Sequence, residues 1–413
     1  MQYGWLDRSL LAAIRKMAAP VPIRVEIGPR SPESQPSRDA LPLVRLKDTR
    51  ALFALVRNPG INFGELYSRR ELEVEGDLVR LLESLYRVPQ GAVARMASRW
   101  SGWLQSNSLR GSRKNIHHHY DISNDFYKMW LDSQLVYTCA YFPSENASLE
   151  EAQRAKLDLV CRKLGLRPGE TVVEAGCGWG ALALHMAKHY GVRVKAFNIS
   201  HEQITFARER AQREGLSSQV EFIEDDYRNI SGSFDAFMSV GMLEHVGRSH
   251  YREFARVIRR AIGERGRGLL HFIGKNRPAP LSAWIRKRIF PGGYTPALRE
   301  VTAMLEPHNF SVLDVENLRA HYAKTCEHWL NRFEGCYDQV VDRFDTTFAR
   351  MWRLYLAGSA AAFRAGTLQL FQVVFAGRAC QSLPWNREHL YQKSGEPGKE
   401  NIEQDVEWTP AMS

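Results

Sequence analysis

Long apolar runs are missing from this chain of 413 residues. The longest nearly apolar stretch, 354–363, is far shorter than the roughly 20 residues that a helix needs to cross a bilayer, so we expect no membrane-spanning helix. The first 17 residues also lack the uninterrupted apolar core of a secretory signal. Four charges interrupt them: Asp7, Arg8, Arg15 and Lys16. The prediction is a cytoplasmic protein.

Cysteine is scarce and unpaired along the sequence. Six cysteines are present, and none belongs to a Cys-x-x-Cys pair. Zinc clusters and dithiol redox sites use such pairs, so both classes are disfavoured and we expect reduced thiols. Histidines give no better metal site, because His185 and His189 lack the glutamate of a His-Glu-x-x-His motif. The run 117–119 lies at a predicted domain boundary. The sequence therefore predicts no bound metal.

Positive charge is concentrated near the N-terminus. Residues 1–114 contain nineteen Lys and Arg against eleven Asp and Glu, a surplus of 8 within a net charge of +10. A basic module can attract nucleic acid or an anionic membrane, and an ordinary soluble surface is the third interpretation. Residues 5–17 combine apolar residues at helical spacing with basic ones and predict an amphipathic helix. Membrane contact and packing on its own domain both remain open for that helix.

The composition predicts two domains that meet near Gly111. Alternating residues in 41–48 and 71–82 predict strands with a following helix, so residues 1–110 are expected to form a small α+β domain. We predict lipid binding or dimerisation for it. The polar, basic segment 108–124 separates it from a second domain, residues 111–413.

Helices and strands alternate from residue 149 onward, which predicts a parallel sheet covered by helices on both faces. Such sheets bind ligands at the carboxyl ends of their strands. Predicted helices cover 157–166, 181–190 and 201–215, and predicted strands cover 171–176, 192–199, 220–226 and 234–240.

A glycine-rich turn, 174–180, follows the first of these strands and opens a helix. Small residues there let the backbone approach a ligand closely. A dinucleotide fingerprint could be written through Gly176, Gly178 and Ala181. That fingerprint needs an acid about 20 positions further on to bind a ribose hydroxyl. The second strand ends instead at Asn198, so NAD is disfavoured.

The spacing Glu-x-Gly-x-Gly-x-Gly is similar to the first motif of class I methyltransferases, whose turn holds the amino acid moiety of S-adenosylmethionine (AdoMet). Asp225 and Asp226 end the third strand, where such enzymes place an acid for the adenine amino group. A local turn capping the strand is the alternative. The predicted fold is α/β, a class I (Rossmann-like) AdoMet methyltransferase with a doubly wound seven-stranded sheet and a smaller N-terminal α+β domain.

Ten segments in order, from about His117 to Phe375, resemble the cyclopropane fatty acid synthase family, which includes the mycolic acid cyclopropane synthases. They include VVEAGCGWG, NISHEQ, SVGMLEHVG, LLHFIG and AAFRAGTLQLFQVVF. The resemblance implies transfer of a methylene unit from AdoMet to the cis double bond of unsaturated phospholipid acyl chains, giving cyclopropane fatty acids. A methyl- or methylene-branched product from the same substrates stays open.

By this resemblance, aromatic and hydroxyl side chains close over AdoMet, the glycine turn holds its amino acid end, and polar residues after the next two strands contact its adenosine. The implied cofactor residues are Tyr120, Tyr137, Thr138, Glu174, Gly176, Gly178, Asn198, Ser200, Gln203, Asp226 and Tyr227. Glu174 stands where many relatives have Asp.

The resemblance also implies a bound bicarbonate ion as general base. Methylation of an alkene leaves a cation that must lose a proton, so the base must lie at the methyl group without being alkylated. The implied catalytic residues are Cys139, Glu244, His271, Tyr322 and the backbone of Ile273. Glu244 would accept the bicarbonate hydroxyl while His271 and Tyr322 donate to its other oxygens. Ser359 stands where some members carry cysteine, which excludes a cysteine nucleophile there.

Phospholipid substrates imply an enzyme peripheral on the inner face of the membrane. Residues 284–290 interleave apolar and basic residues, as an interfacial segment does, although a helix packed over the sheet would have the same pattern. We also predict a homodimer that does not bind nucleic acid. A nucleic-acid methyltransferase is the remote alternative, and the chain lacks both an Asn/Asp-Pro-Pro-Tyr/Phe tetrapeptide and a Pro-Cys nucleophile. A non-catalytic lipid-binding protein would have lost Glu244, His271 or Tyr322.

Overall fold

Helices and strands alternate through most of the chain that the computed structural model describes, namely residues 5–18, 21, 23–29, 42–88, 123–382 and 384–391. The strands are β1 (Arg24–Ile27), β2 (Leu43–Leu46), β3 (Leu72–Glu75), β4 (Thr171–Ala175), β5 (Arg193–Asn198), β6 (Val220–Glu224), β7 (Ala236–Val240), β8 (Arg267–Gly274), β9 (Phe310–Asn317) and β10 (Gln369–Gly377). The α-helices are α1 (Trp5–Ala18), α2 (Thr49–Arg57), α3 (Pro59–Ser68), α4 (Leu78–Arg87), α5 (Asn124–Lys128), α6 (Leu149–Leu164), α7 (Ala181–Tyr190), α8 (His201–Arg213), α9 (Leu243–Val246), α10 (Tyr251–Ile262), α11 (Ala283–Arg288), α12 (Leu298–Leu305), α13 (Arg319–Gly335), α14 (Tyr337–Arg343), α15 (Thr346–Arg364) and α16 (Glu388–Tyr391).

Seven strands form the large sheet, in the order β6-β5-β4-β7-β8-β10-β9. Strands β4 to β8 pair in parallel, and β10 is antiparallel to both of its neighbours. Separate apolar clusters of buried residues pack on the two faces. The predicted doubly wound, seven-stranded α/β fold is confirmed. After β4 the chain continues to β5 and β6 on one side of β4 and then returns to β7 on its other side. The loops after β4 and β7 therefore flank a crevice at the carboxyl edge of the sheet.

Helix α6 begins earlier than the sequence pattern indicated. The prediction placed it at 157–166, whereas it covers Leu149–Leu164. Ser148 and Glu151 form a reciprocal capping box that fixes its start, and Gly165 ends it in the left-handed region. The prediction was wrong at the N-terminal end because the charged first turns obscure the apolar spacing. Residues 153 and 156 of this helix therefore belong to a regular, buried surface.

A three-stranded sheet, ordered β1-β2-β3, forms the small N-terminal part together with α1 to α4. Strands β2 and β3 and helix α4 confirm the α+β prediction for this region. In α1, Leu11 and Ile14 are buried in the core, whereas Trp5 is 76% exposed. Leu11 and Ile14 of α1 therefore pack on the protein's own core, as one of the two interpretations of this helix predicts. The predicted boundary near Gly111 lies outside the described residues.

The N-terminal part shares one apolar core with helices α13 and α15. Arg350 of α15 joins the two, because its guanidinium donates to the carbonyl oxygens of Tyr67 (2.6 Å) and Leu72 (3.2 Å). The guanidinium also lies over the Tyr67 ring, 4.2 Å from its centroid. These contacts attach the N-terminal part directly to the helices that cover the large sheet.

Helix α11 forms a second connection to the N-terminal part. Trp284 is buried on Gly64 of α3, where an added Cβ would lie 2.4 Å from the indole. Arg288 donates two hydrogen bonds to Glu65, at 2.7 and 2.6 Å. The apolar side of the predicted interfacial segment thus packs on protein, while the Lys287 side chain is about half exposed. Within the described ranges, no helix is both long and apolar enough to cross a bilayer.

Candidate functional site

A cavity opens at the carboxyl ends of β4 and β7, where the topology places the ligand crevice. Residues of the glycine turn, of the loop 135–138, of α6 and of the loop after β7 line it. Seven of the predicted cofactor residues are brought together there: Tyr137, Thr138, Glu174, Gly176, Gly178, Asn198 and Gln203. The lining also includes Lys156, Trp179, Met242 and His245, which sequence reasoning did not select.

The glycine turn is held against the next strand by backbone hydrogen bonds. The N–H groups of Gly176 and Cys177 both donate to the carbonyl oxygen of Phe197, at 2.9 and 3.1 Å. Asn198 donates from its side-chain amide to the Gly178 carbonyl (3.3 Å) and to the Gln203 side chain (2.7 Å). The three glycines of the motif have positive φ, a conformation that other residues adopt at a cost. The turn is therefore a fixed backbone surface facing the cavity.

Gly176→Ala is expected to weaken AdoMet binding roughly tenfold, because left-handed backbone costs about 1–2 kcal/mol for a residue with a Cβ and relief of that strain would displace the turn that faces the cavity. The φ of Gly176 is +83°, and an added Cβ would lie 2.8 Å from Met242 across the cavity. Gly191→Ala is the matched control: its φ is +64°, but it ends α7 away from the cavity. Calorimetric titration should show lost affinity in the first variant alone, although thermal stability falls in both. Equal affinities would contradict the assigned role of the turn.

Glu174, at the end of β4, presents an unpaired oxygen at the cavity. The residue is buried, and its Oε2 has no hydrogen-bond partner among the described residues. Burial raises the pKa of Glu174 to about 7, and the nearby Lys156 ammonium acts in the opposite direction. A buried acceptor of this kind calls for a positively charged or donor group of a ligand.

The loop 131–142 crosses the cavity and is held at several points. Gln153 of α6 donates to the carbonyl oxygens of Val136 (3.2 Å) and Thr138 (2.9 Å). The Tyr137 ring packs between Trp130 and Trp329, and its hydroxyl lies 2.8 Å from that of Tyr355. The loop therefore forms a fixed cover whose aromatic side faces α13 and α15.

Glu244 and Ile273 form the first contact of the predicted anion site. The Ile273 N–H donates to Glu244 Oε1 at 2.5 Å, whereas Oε2 is buried without a partner in the described structure. Burial raises the pKa of Glu244 to about 7, and the Ile273 bond partly offsets it. The α9 carboxylate is thus anchored at one oxygen and presents the other as an acceptor.

His271 lies two residues before Ile273 on β8, so that both side chains face the same side of the sheet. Gln372 is its direct partner on β10, and the Gln372 amide nitrogen lies 3.1 Å from His271 Nδ1. An amide nitrogen only donates, so with the Gln372 amide in this orientation Nδ1 is the acceptor and Nε2 carries the proton. That Nε2 is buried without a described partner. Burial keeps the pKa of His271 well below its usual value, so the ring is neutral.

Cys139 and Tyr322, the other two residues predicted for the anion site, lie near each other around the Leu318 carbonyl. Cys139 is fully buried at the end of the cover loop, with Sγ 3.9 Å from the Leu318 carbonyl, which also accepts the Tyr322 N–H. Burial raises the pKa of both side chains, and for Tyr322 the nearby ionisable groups include Cys139 and Glu244. Both groups are therefore neutral near pH 7. Among the residues predicted for the anion site, Glu244 supplies the one carboxylate, and none of these residues is among those that line the cofactor cavity.

Three predicted cofactor residues are not among those that line the cavity. Ser200 caps α8 by accepting the Gln203 N–H. The Asp226 carboxylate accepts two hydrogen bonds from Arg228, one from its backbone N–H and one from its guanidinium. Tyr227 is buried, with its hydroxyl unpaired within the described structure. The Arg228 N–H lies two residues beyond Asp226, so its bond to the Asp226 side chain is the one that the local-turn interpretation requires, and Asp225 accepts the Asp226 N–H. Tyr120 lies outside the described residues, so its role stays a prediction.

Sequence analysis did not identify several residues that hold the predicted site residues in place. For Gln372 and Tyr355 the reason is that their positions depend on tertiary packing. Gln372 meets His271 only through the β8–β10 register. Tyr355 meets Tyr137 across 218 residues of sequence. Gln153 and Lys156 carried a local signal, since they lie at helical spacing on the apolar side of α6, where polar residues are unusual.

Cysteines and histidines elsewhere show no grouping for metal. All six cysteines are buried free thiols. The His185 and His189 rings are 4.6 Å apart, and burial lowers the pKa of His185 to about 4. In the part of the chain that the structure describes, no three His, Cys, Asp or Glu residues are placed to bind a metal ion.

Comparison with known proteins gives a consistent set of similarities. The profile of the mycolic acid cyclopropane synthetase family matches residues 107–373. A probable fatty acid methyltransferase of Pseudomonas putida is 35% identical over 342 residues, which span 79% of this chain and 86% of that protein. The cyclopropane-fatty-acyl-phospholipid synthase of Escherichia coli is 42% identical over 259 residues, spanning 62% of this chain and 66% of that one. Among solved structures, the mycolic acid cyclopropane synthase CmaA1 complexed with SAH and CTAB is similar with a TM-score of 0.61, 30% identity, and coverage of 64% and 97%.

Proposed function

This chain belongs to the mycolic acid cyclopropane synthetase family, and from that membership we propose that it builds cyclopropane rings on unsaturated phospholipids. The reaction proposed is transfer of a methylene unit from AdoMet to a cis double bond of an acyl chain. The profile match covers well over half of the chain and confirms the family that the motifs predicted. An AdoMet-dependent methyltransferase is the part of the function that follows from membership alone. Substrate, product and base belong to the proposal.

One observation carries the choice of an anion-assisted reaction. Glu244 accepts the Ile273 N–H through Oε1, and its buried Oε2 has no partner among the described residues. His271 lies two residues before Ile273 on β8, and its buried Nε2 likewise has no described partner. Unpaired buried polar atoms cost about 1–3 kcal/mol each, so a ligand that satisfies both is favoured. A bicarbonate ion has a hydroxyl for the acceptor and oxygens for the donor, and it therefore fits this pair.

Each residue then has a defined task in the proposed reaction. When bound, AdoMet supplies the methyl carbon, and bicarbonate supplies a base that the sulfonium does not alkylate. Ile273 holds Glu244 through its N–H, and Gln372 holds His271 in the tautomer that donates from Nε2. The cover loop and its aromatic residues exclude water and hold the reacting groups together.

The lipid substrate requires contact with a membrane surface, which we propose for α11 and the basic N-terminal part. The Lys287 and Arg288 side chains are 51% and 40% exposed, so they are accessible to phosphate groups even though both also pair with Glu65. We propose a cytoplasmic enzyme that binds peripherally to the inner face of the membrane. The homodimer and the absence of nucleic-acid binding stay predictions.

Incubation with AdoMet and vesicles of a cis-unsaturated phospholipid is the direct test. Each modified chain is expected to gain one CH₂, seen by mass spectrometry of the released fatty esters. Vesicles of a fully saturated phospholipid are the matched control, because they lack the reacting double bond. Unchanged mass with every cis-unsaturated lipid offered would overturn the proposal.

A branched product is the second candidate, favoured by the similarity to a protein described as a probable fatty acid methyltransferase. A methylene branch has the same mass as a cyclopropane, so mass alone does not separate them. Proton NMR of the esters does, because cyclopropane hydrogens appear at unusually high field. Those signals support the first proposal, and olefinic methylene signals in their place support the second.

A further inference from the structure

Lys156 is a buried lysine at the edge of the cofactor cavity. The residue is 1% exposed, yet it lines the cavity together with Thr138 and Glu174. Its Nζ donates to Thr138 Oγ1 at 3.0 Å. A buried ammonium without a full counter-ion pair is costly, so its retention at this place suggests a task beyond packing.

The bond to Lys156 determines how Thr138 can act. An ammonium group only donates, so Thr138 Oγ1 is the acceptor and its own hydroxyl hydrogen points away from Lys156. Gln153 binds the Thr138 carbonyl, and the Thr138 methyl packs on Gly241, where an added Cβ would lie 2.7 Å from it. The side chain is therefore fixed on two sides, and its hydroxyl is presented as a donor.

The cavity lining offers groups of both kinds that a zwitterion needs. Lys156 and the Thr138 hydroxyl offer positive charge and a donor, whereas Glu174 offers the unpaired acceptor Oε2. The amino acid end of AdoMet has a carboxylate and an ammonium group. The first set of groups complements the carboxylate and the second complements the ammonium.

We propose that Lys156 is a positioning residue for AdoMet, whose ammonium holds the Thr138 hydroxyl as a donor to the cofactor carboxylate. The inference rests on the proposed use of AdoMet but not on the fate of the lipid. It assigns the buried lysine of α6 to cofactor orientation rather than to stability alone.

A double-mutant cycle measured by calorimetric binding of SAH tests the assignment. Lys156→Met and Thr138→Val should each weaken binding roughly tenfold, the usual size for a charge-assisted hydrogen bond. The double variant should bind no more weakly than either single variant, because both remove the same donor. Thr138→Ser should bind as the unchanged protein does. Additive losses in the double variant, or unchanged binding by Lys156→Met, would overturn the proposal.

Lys163 provides the matched control on the same helix. Its side chain is equally buried, but it pairs with Asp314 and Glu316 on β9 instead of facing the cavity. Lys163→Met should therefore change thermal stability and leave SAH binding unchanged. If Lys156→Met fails to fold, the comparison of Thr138→Val with Thr138→Ser still decides whether the hydroxyl is used.

The pH dependence of binding separates positioning from packing. Burial lowers the pKa of Lys156 to about 8. Its ionisable neighbours are Asp132, Cys139, Cys161, Glu174, His185 and His271. Above pH 8 the neutral amine can also accept, so the unchanged protein should lose SAH affinity more steeply than Lys156→Met or Thr138→Val. The amino group of SAH titrates equally in all three, so parallel curves would contradict the role.

The binding test and the lipid test fail independently. If no cyclopropane forms but the variants show the coupled losses in SAH binding, the role of Lys156 is supported and the proposed reaction is rejected. If cyclopropane forms but Lys156→Met binds SAH normally, the proposed reaction is supported and the role of Lys156 is rejected.

Discussion

Replacing Glu244 by Gln is expected to lower the turnover number by roughly 100-fold or more, the usual scale for loss of an acid–base group. The variant amide oxygen can still accept the Ile273 N–H, so the side chain keeps its place. The outward-facing atom becomes an NH₂ donor and no longer accepts the hydroxyl of a bound anion. Initial rates with unsaturated vesicles, set beside SAH affinity, are the measurement. Affinity should stay nearly unchanged, because Glu244 does not line the cofactor cavity.

Glu264→Gln is the control for this substitution. Glu264 is a partly exposed carboxylate that pairs with Arg259 and Arg378 away from the site, so its neutralisation should leave turnover unaffected. Normal turnover in Glu244→Gln would remove Glu244 from the catalytic group. A parallel loss of SAH affinity would instead indicate a disturbed fold around β7.

The pH profile gives the same hypothesis a second test. Burial places the pKa of Glu244 at about 7, so the carboxylate form is lost as pH falls below that value. The ionised form is the proposed acceptor, and turnover should therefore rise with pH through about 7. His271 and Tyr322 stay neutral over this range, because burial moves both pKa values away from it. At a fixed bicarbonate concentration, the rise should flatten in Glu244→Gln. An identical rise in both proteins would assign it to another group.

Arg350→Met is expected to lower the free energy of unfolding by about 3 kcal/mol, the scale for leaving buried polar groups without their partner. Methionine fills a similar space but donates nothing, so the carbonyl oxygens of Tyr67 and Leu72 are left without this donor. The ion pair with Glu73 adds little, because that carboxylate is partly exposed. Denaturant unfolding followed by tryptophan fluorescence measures the change.

Hydrogen exchange shows where the stability is lost in Arg350→Met. Because Arg350 binds the backbone at Tyr67, before β3, and at Leu72, the first residue of β3, amides in residues 43–75 should exchange faster. Arg343→Met is the control, since Arg343 pairs with Asp125 in an exposed position and should contribute less than about 1 kcal/mol. A shift in Arg350→Met no larger than in this control would show that the Arg350 hydrogen bonds contribute little to the attachment of the N-terminal part.

The sequence was sufficient where local chemistry and chain order determine position. The glycine turn was located because a β-branched strand leads into it and a helix follows it, and the sheet class followed from alternating periodicities. Motif resemblance selected Glu244 and His271, which the fold brings to adjacent elements. The partners that orient them were not predictable in this way. Gln372 acts through an antiparallel register with β8, and strand order leaves no trace in local composition.

Burial was equally hard to read from the sequence. The helical spacing of Lys156 on α6 indicates that it lies on the apolar side, but only the packing shows that its side chain is buried at the cavity. Trp284 and Arg288 suggested an interfacial segment, and only the fold shows that α3 covers the indole and that Glu65 takes the guanidinium. Such long-range pairings arise from tertiary packing, which overrides local pattern.

The shared core of α15 and the N-terminal part has a practical consequence for anyone who shortens this chain. The CmaA1 structure aligns over nearly its whole length with only 64% of the present protein. A shorter fragment that contains only the matching part is therefore an obvious choice for expression. Removal of α1 to α4 would expose Trp284 on α11 and remove the backbone acceptors of Arg350. The result would be an exposed surface that is apolar in part and charged in part. We expect such a fragment to aggregate unless the exposed apolar residues are first replaced by polar ones.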